Sequence, residues 1–298
     1  MHRKYRIRHE TIYRYDADVV HAHHLLHLVP RPMPYQECLD HQVSIEPPPN
    51  RQVAELDAFG NPLLRVELAQ PHRELNVVSQ MQVEVHTRPA VSAETTEPWE
   101  TVRDAFAYRG AWPSRDQLEA ARFRHESPHV RVKQAFTDYS AGCFGPGTPI
   151  LVCAETLSTK LHADITYAPG ETVIGTAATE VLETRRGVCQ DFAHLLVALA
   201  RSLGLPARYV SGYFHDPAQP PDATLASHAW AELFLESRGW LGLDPTHNCP
   251  TGPRYVRVAI GRDYADAAPM RGIYQGTASE KLAVRVRMHA ADEQPALR

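Results

Sequence analysis

The sequence has 298 residues, of which 43% are hydrophobic and 22% are charged, and its formal net charge is −4. This composition is typical of a globular protein with a sizeable core, and the small negative charge gives no reason to expect a nucleic-acid or membrane partner. The chain starts with charged residues and no apolar run behind them, so we predict no signal peptide.

Five cysteines are spread irregularly along the chain, and no two of them form a C-x-x-C pair. An odd number at such spacing argues against a disulfide framework and against a cysteine-rich zinc site. We therefore expect free thiols in a reducing, cytoplasmic setting. The five are Cys38, Cys143, Cys153, Cys189 and Cys249.

The first ninety residues predict a β-rich region. Residues 5–15 alternate between two faces, and residues 42–49 are typical of a strand halted by prolines. Residues 57–62, "DAFGNP", form a turn signal between two further strand-like runs. Strands at this short spacing predict an antiparallel β-sandwich over residues 1–90.

The composition changes after residue 90. Residues 91–149 are polar, contain several helix signals and are punctuated by proline and glycine, so we predict a helical connector. Residues 150–260 contain further helix signals followed by three strand-like runs, an order that predicts an α+β core. Residues 261–298 form a C-terminal segment that closes with one alternating strand.

Within the predicted core, the segment "RRGVCQDFAHLLVALARSLG", residues 185–204, predicts an amphipathic helix with a cysteine in its first turn. Backbone N–H groups at a helix start are unpaired, and the helix dipole there favours a thiolate. Two interpretations stay open on this segment alone: a cysteine that packs as a small hydrophobic residue, and a nucleophile. The inward face repeats at helical spacing and consists of Cys189, Phe192, Leu196, Leu199 and Leu203.

Two later strand-like runs supply a candidate base and a candidate carboxylate. His228 opens the run "SHAWAELFL", and Asp244 closes the next run, "GWLGLDP". The short connection predicts an antiparallel hairpin, in which the end of the second strand lies beside the start of the first. His228 is then placed to take a thiol proton, and Asp244 to orient the imidazole. A core histidine and an Asp-Pro strand stop are the alternatives for each residue taken alone.

This order of cysteine, histidine and aspartate resembles the transglutaminase-like cysteine hydrolase superfamily. The segments that carry the resemblance are "GVCQDFAHL", "GLPARYVSGY", "SHAWAEL" and "GWLGLDPTHN". They are most similar to bacterial transglutaminase-like proteins with a β-sandwich ahead of the catalytic core, and "HLVPRPMPYQ" and "DAFGNP" resemble that sandwich. "GRDYADAAPMRG" resembles the segment that follows the core, so the resemblance covers most of the chain outside the connector.

The resemblance implies an α+β, papain-like core and a cysteine-dependent hydrolase of amide or peptide bonds that needs no cofactor. By it, Cys189 attacks the carbonyl, His228 transfers the proton and Asp244 orients His228, through an acyl-enzyme that passes to water or to an amine. The oxyanion would be held by the Cys189 backbone N–H and by one donor that precedes the cysteine.

Three residues are candidates for the substrate or oxyanion site. Tyr167 is the candidate for the second oxyanion donor, with a packing role as its alternative. Gln190 either lines the site or caps the helix, and Trp230 shares one face of the strand with His228. We expect a peptide or protein substrate, and the sequence gives no signal for an oligomeric state.

The competing functions are a second enzyme activity, which differs in the fate of the acyl group, and two non-catalytic roles. A protein-glutamine acyltransferase, that is, a transglutaminase, shares all chemistry up to the acyl-enzyme, whereas a non-catalytic peptide-binding module would need no intact triad. A metal scaffold depends on the histidines of "HAHHLLHL", residues 21–28. His23 and His27 would meet only on a helix, the segment is predicted as a strand, and no acidic residue is close in sequence, so we predict no metal site.

Overall fold

Strands occupy both ends of the chain in the structure, a computed structural model that describes residues 2–107, 114–220, 223 and 226–291. The described residues form fifteen β-strands, β1 His2–Val19, β2 His21–Leu26, β3 Gln36–Glu46, β4 Arg51–Leu56, β5 Pro62–Leu68, β6 His72–His86, β7 Thr166–Tyr167, β8 Arg186–Gly187, β9 Ala207–Phe214, β10 His228–Leu235, β11 Gly239–Asp244, β12 Cys249–Pro250, β13 Tyr255–Gly261, β14 Met270–Gln275 and β15 Glu280–Ala290. They also form seven α-helices, α1 Trp99–Ala105, α2 Arg115–Ala121, α3 Gln134–Ser140, α4 Ile150–Asp164, α5 Ala178–Thr184, α6 Cys189–Ser202 and α7 Tyr264–Ala267.

Two four-stranded antiparallel sheets pack face to face at the N-terminal end of the chain. Their strand orders are β15-β1-β6-β3 and β14-β2-β5-β4. Alternating residues of both sheets share one hydrophobic core, which includes Tyr15, Leu26, Val66 and Val77. The predicted N-terminal antiparallel sandwich is therefore confirmed. Strands β14 and β15, from the predicted C-terminal segment, complete the two sheets; the last residues of that segment, 292–298, lie outside the described residues.

Helix α6 packs against a five-stranded antiparallel sheet of order β12-β11-β10-β9-β13. This arrangement confirms the predicted α+β core of a helix followed by antiparallel strands. Almost the whole helix is buried, because α3, α4 and α5 cover the side that faces away from the sheet. The region predicted as a connector contributes to the same hydrophobic core as α6, through Val102, Ala120 and Phe136.

A buried carboxylate joins three strands of the five-stranded sheet. Glu232 of β10 is 1% exposed and accepts hydrogen bonds from Arg208 Nε of β9 at 2.8 Å and Arg257 Nε of β13 at 2.6 Å. Burial alone would raise the pKa of Glu232, but the two guanidinium groups lower it to about 2. The carboxylate is therefore charged and fully paired, and it holds the strand that carries His228 in register with its neighbours.

Strand β13 lies at the edge of the five-stranded sheet, and two side-chain amides from the sandwich region occupy its free edge. Gln36 accepts from the backbone N–H of Arg257 at 2.7 Å and donates to the carbonyl of the same residue at 2.7 Å. Asn61 pairs with Ile260 in the same way, at 2.9 and 2.7 Å. Each amide thus takes the place of a residue in a neighbouring strand and satisfies backbone groups that would otherwise be open.

Three buried histidines predict a loss of stability in weak acid. Burial lowers the pKa of His9 and of His24 to about 4, and that of His194 to about 3. Because an unfolded histidine has a pKa near 6.5, the unfolded chain binds more protons than the native protein below that pH. The histidine contribution to stability is thus fully present above pH 6.5 and falls as the pH is lowered towards 4.

We expect the free energy of unfolding to fall by up to about 4 kcal/mol per pH unit near pH 5, the slope for an uptake of three protons. Urea denaturation at pH 7.5, 6.5, 5.5 and 5.0 measures it. A His24→Leu variant should show a shallower slope by about one proton. An unchanged slope in the His24 variant would contradict the assignment.

Candidate active site

The start of helix α6 is shaped by a tight turn that leaves Cys189 as the first helical residue. The Asp191 carboxylate accepts a hydrogen bond from the Val188 N–H at 2.8 Å and another from the Thr172 hydroxyl at 2.7 Å. A Cβ atom at Gly187 would lie 2.8 Å from the Asp191 Cβ, so only glycine fits there. The helix therefore begins at the cysteine, as the sequence pattern predicts, with the backbone N–H groups of its first turn directed towards that end.

The imidazole of His228 is fixed by Asp244. Strands β10 and β11 pair as the predicted hairpin, with Ala231 opposite Leu243. This register brings the end of β11 to the start of β10, where His228 Nε2 lies 2.7 Å from Asp244 Oδ2. The Asp244 side chain is fully buried and that of His228 is 10% exposed. The ring thus has Nε2 bound to a buried carboxylate, which fixes its orientation.

Cys189 and His228 line the same cleft. Burial alone would lower the pKa of His228, but hydrogen bonds with Asp244 and with Cys189 raise it to about 10. With this pKa the imidazole is protonated at neutral pH, and the half-buried Cys189 is its neighbour. A histidine that is held by a carboxylate and placed beside a thiol is the arrangement that activates a cysteine nucleophile. The structure thus brings together the three residues that the sequence proposes as a triad.

Asp244 has two further side-chain partners that the sequence does not indicate, and its other oxygen has a backbone partner. Its Oδ2 also accepts from His247 Nδ1 at 2.8 Å and from the Tyr255 hydroxyl at 2.8 Å, while Oδ1 accepts from the Thr246 N–H at 2.9 Å. Burial would raise the pKa of Asp244, but hydrogen bonds from His228 and His247 hold it far below its usual range. His247 is signalled only by its position three residues after the aspartate, and Tyr255 comes from β13, which no local pattern links to the site.

A cleft of about 730 Å³ opens over Cys189 and His228. Tyr167 lines it from β7, which pairs with β8 just ahead of the cysteine, and its side chain is 54% exposed. Burial, and then the proximity of Cys189, raise the pKa of Tyr167, which keeps its hydroxyl a donor. Gln190 also lines the cleft, and its side-chain amide donates to the Ile174 carbonyl at 3.4 Å.

Trp230 is not among the described residues that line this cleft. It is fully buried behind His228, with 6.1 Å between the two ring centroids, and it packs against Tyr255 at 5.2 Å. Trp230 therefore supports the histidine ring from inside the protein. A wider groove of about 960 Å³ lies in the sandwich and is lined by Cys38 and His41 among others, but the histidine that is hydrogen-bonded to a buried aspartate, His228, lines the cleft over α6.

The other four thiols differ from Cys189 in their surroundings. All five cysteines are free. Burial raises the pKa of each of the others, which disfavours their thiolate forms. They are Cys38, Cys143, Cys153 and Cys249.

Two family models and a relative of similar length identify the family of this chain. The model of the bacterial transglutaminase-like N-terminal region matches residues 5–84, and that of the transglutaminase-like superfamily matches residues 138–245. An uncharacterized protein of Mycobacterium tuberculosis is 36% identical over 281 residues, which cover 91% of this chain and 87% of that protein. The chain belongs to the bacterial transglutaminase-like family.

Two further similarities concern the fold and a short part of the core. The transglutaminase-like chain has the fold of a crystal structure described as "a Putative Cysteine Protease from Cytophaga hutchinsonii", with a TM-score of 0.77 and 21% identity over 99% of this chain and 93% of that one. A protein-glutamine gamma-glutamyltransferase of Pseudomonas aeruginosa is 35% identical over 72 residues, 22% of this chain and 11% of that protein. Among the described residues of the transglutaminase-like protein, no helix has the length and apolar character needed to cross a bilayer.

Proposed function

We propose that the protein is a cysteine-dependent hydrolase of amide or peptide bonds that acts through Cys189, His228 and Asp244. The observation that carries this proposal is the position of the His228 imidazole, which lines the same cleft as Cys189 and lies 2.7 Å from Asp244. Nucleophile, base and orienting carboxylate in that order are the arrangement needed to form and break an acyl-enzyme. A peptide-binding module would have no use for the complete set.

The proposed reaction starts with attack of the Cys189 sulfur on the substrate carbonyl. The oxyanion then accepts a hydrogen bond from the Cys189 backbone N–H and from a second donor, for which Tyr167 is the proposed residue. The His228 imidazolium gives its proton to the leaving amine, and the C–N bond breaks to leave a thioester on Cys189. Neutral His228 next takes a proton from water, which attacks the thioester and releases the acid.

The proposed substrate is a peptide or protein. The cleft is open, and its walls combine aromatic rings with polar side chains, as suits an extended chain that offers both backbone and side-chain groups. We assign Gln190 and Tyr167 to substrate contact or oxyanion binding, and Trp230 to support of His228. The free thiols favour a reducing, cytoplasmic setting for this chemistry.

Acyl transfer to an amine is the second candidate function. The similarity to a protein-glutamine gamma-glutamyltransferase over 72 residues supports it. The two functions share the acyl-enzyme, so the second nucleophile distinguishes them. A glutamine-containing peptide incubated with hydroxylamine gives a hydroxamate if the acyl group passes to the amine, and only the free acid if water outcompetes the amine.

Alkylation by iodoacetamide tests whether the thiol is activated at all. We expect Cys189 to be modified faster than the other four cysteines, because His228 lines the same cleft as a base for its proton, the cleft gives the reagent access, and burial raises the pKa of the other four thiols. Peptide mass mapping after short exposure of the native protein measures the order. His228→Ala should slow the modification of Cys189 and leave that of Cys38 unchanged. Equal rates at both cysteines in the native protein would contradict the proposal.

A further inference from the structure

The outer face of the sandwich carries a second cluster of ligating side chains, far from the cleft in sequence and in the fold. Alternation along β2 buries Ala22, His24 and Leu26 and turns His21 and His23 outwards. Glu67 of the adjacent strand β5 lies directly opposite His23. The sequence pattern predicts no acidic partner for these histidines, but strand pairing brings one from 46 residues away.

We propose that His21, His23 and Glu67 bind a divalent transition-metal ion, with zinc as the best match. One ligand atom from each of the three side chains lies within 4.8 Å of the others. His21 Nε2 and Glu67 Oε1 are 3.2 Å apart. Two ligands of a tetrahedral zinc ion, at bond lengths near 2.1 Å, are separated by about 3.3 Å. An ion can therefore enter between the first two ligands without movement of the strands, and His23 completes the set by rotation of its side chain.

The donor set indicates which ion fits. Two imidazoles and one carboxylate suit zinc, copper, nickel and iron(II), whereas calcium and magnesium prefer oxygen ligands only. Three protein ligands leave at least one coordination position open to water or to an external anion. The proposed site is therefore able to bind a small ligand as well as to link β2 to β5.

A plain ion pair explains only part of this arrangement. Pairing of His21 with Glu67 accounts for two of the three side chains, but not for the His23 ring, whose centroid lies 4.8 Å from that of His21. Two cations flank the carboxylate: Arg51 lies opposite Glu67 on β4, and Arg65 is two residues before it on β5. Arg65 is engaged by Glu55 at 2.6 Å, and the ion pair that Glu67 forms within the described part of the chain is with His21. All three ligands stand on paired strands, so their positions are set in advance.

Equilibrium dialysis of the full chain against zinc chloride, with bound zinc counted by elemental analysis, tests the proposal. His228, Asp244 and His247 also have ligand atoms close together, so variants must show which of the two clusters binds the ion. We expect the wild-type chain to bind one zinc ion more than His23→Ala and one more than Glu67→Gln. His41→Ala, a change of an exposed histidine on strand β3, should bind as the wild type does.

Thermal unfolding gives a second readout that does not depend on the thiols. Zinc should raise the melting temperature of the wild type and of His247→Ala, but not that of His23→Ala. Equal zinc counts in the wild type, His23→Ala and Glu67→Gln would overturn the proposal. So would loss of the ion in His247→Ala alone, which would place it in the cleft. Because His23 is exposed, its replacement leaves the fold intact, and circular dichroism of the variant verifies this.

Discussion

Replacing Cys189 by alanine should lower the turnover of any amide substrate on the order of 10⁶-fold, the size of effect that follows removal of a nucleophile from a covalent mechanism. Without the sulfur no acyl-enzyme forms, and His228 and Asp244 have no proton to transfer. Single-turnover rates, with enzyme in excess of substrate, measure the loss. Intact-protein mass spectrometry should show no acyl adduct in the variant.

The matched control for this experiment is Cys38→Ala. Cys38 is also a free, partly exposed thiol, but it lies on β3 of the sandwich, and burial raises its pKa. Its replacement should leave turnover and adduct formation unchanged. Retention of turnover in Cys189→Ala would assign the chemistry to another group, whereas loss in both variants would indicate a general effect on the fold.

Asp244→Asn should lower turnover on the order of 10²–10⁴-fold, as expected for a carboxylate that fixes the tautomer of a catalytic histidine. The pH profile should change as well. The pKa of His228, about 10 in the wild type, depends on the Asp244 carboxylate. In the wild type the imidazolium should persist into alkaline solution, and turnover should fall only as the pH approaches 10. Loss of the carboxylate lowers the His228 pKa, so the alkaline limb of kcat/KM should move to lower pH.

Asp57→Asn separates this catalytic effect from a loss of stability. Asp57 also accepts from a histidine, His27 Nε2 at 3.2 Å, and from the Asn61 side chain at 2.7 Å. It lies in the sandwich region, so its replacement should reduce the urea midpoint and leave the pH profile of turnover unchanged. An alkaline limb that stays in place in Asp244→Asn would contradict the orienting role, whatever the loss of rate.

The sequence is most informative where function depends on local pattern. Helical spacing places Cys189 at a helix start, and a short hairpin brings Asp244 beside His228; both inferences need only neighbouring residues and known periodicities. The alternation on β10 is equally correct, since Trp230 does lie behind His228. The alternation could not show that Trp230 is fully buried, because its burial depends on packing around Tyr255, on the face of the sheet opposite α6.

Features that depend on distant pairing could not be predicted. Tyr255 reaches Asp244 from an edge strand whose position only the complete sheet defines. Glu67 meets His21 and His23 through the register of β2 with β5, and a shift of one residue would turn it to the opposite face. A sequence without an alignment contains no signal for such pairings.

The amides of Gln36 and Asn61 determine whether the transglutaminase-like core can be separated from the sandwich. A fragment that begins after residue 90 would lack both side chains, and the backbone groups of Arg257 and Ile260 would lie at an open β-edge. Such an edge is a template for pairing with a second chain. A chimaera that contains this core must therefore include the sandwich as well. Otherwise, polar side chains of the host protein must supply the same two pairs of hydrogen bonds to strand β13.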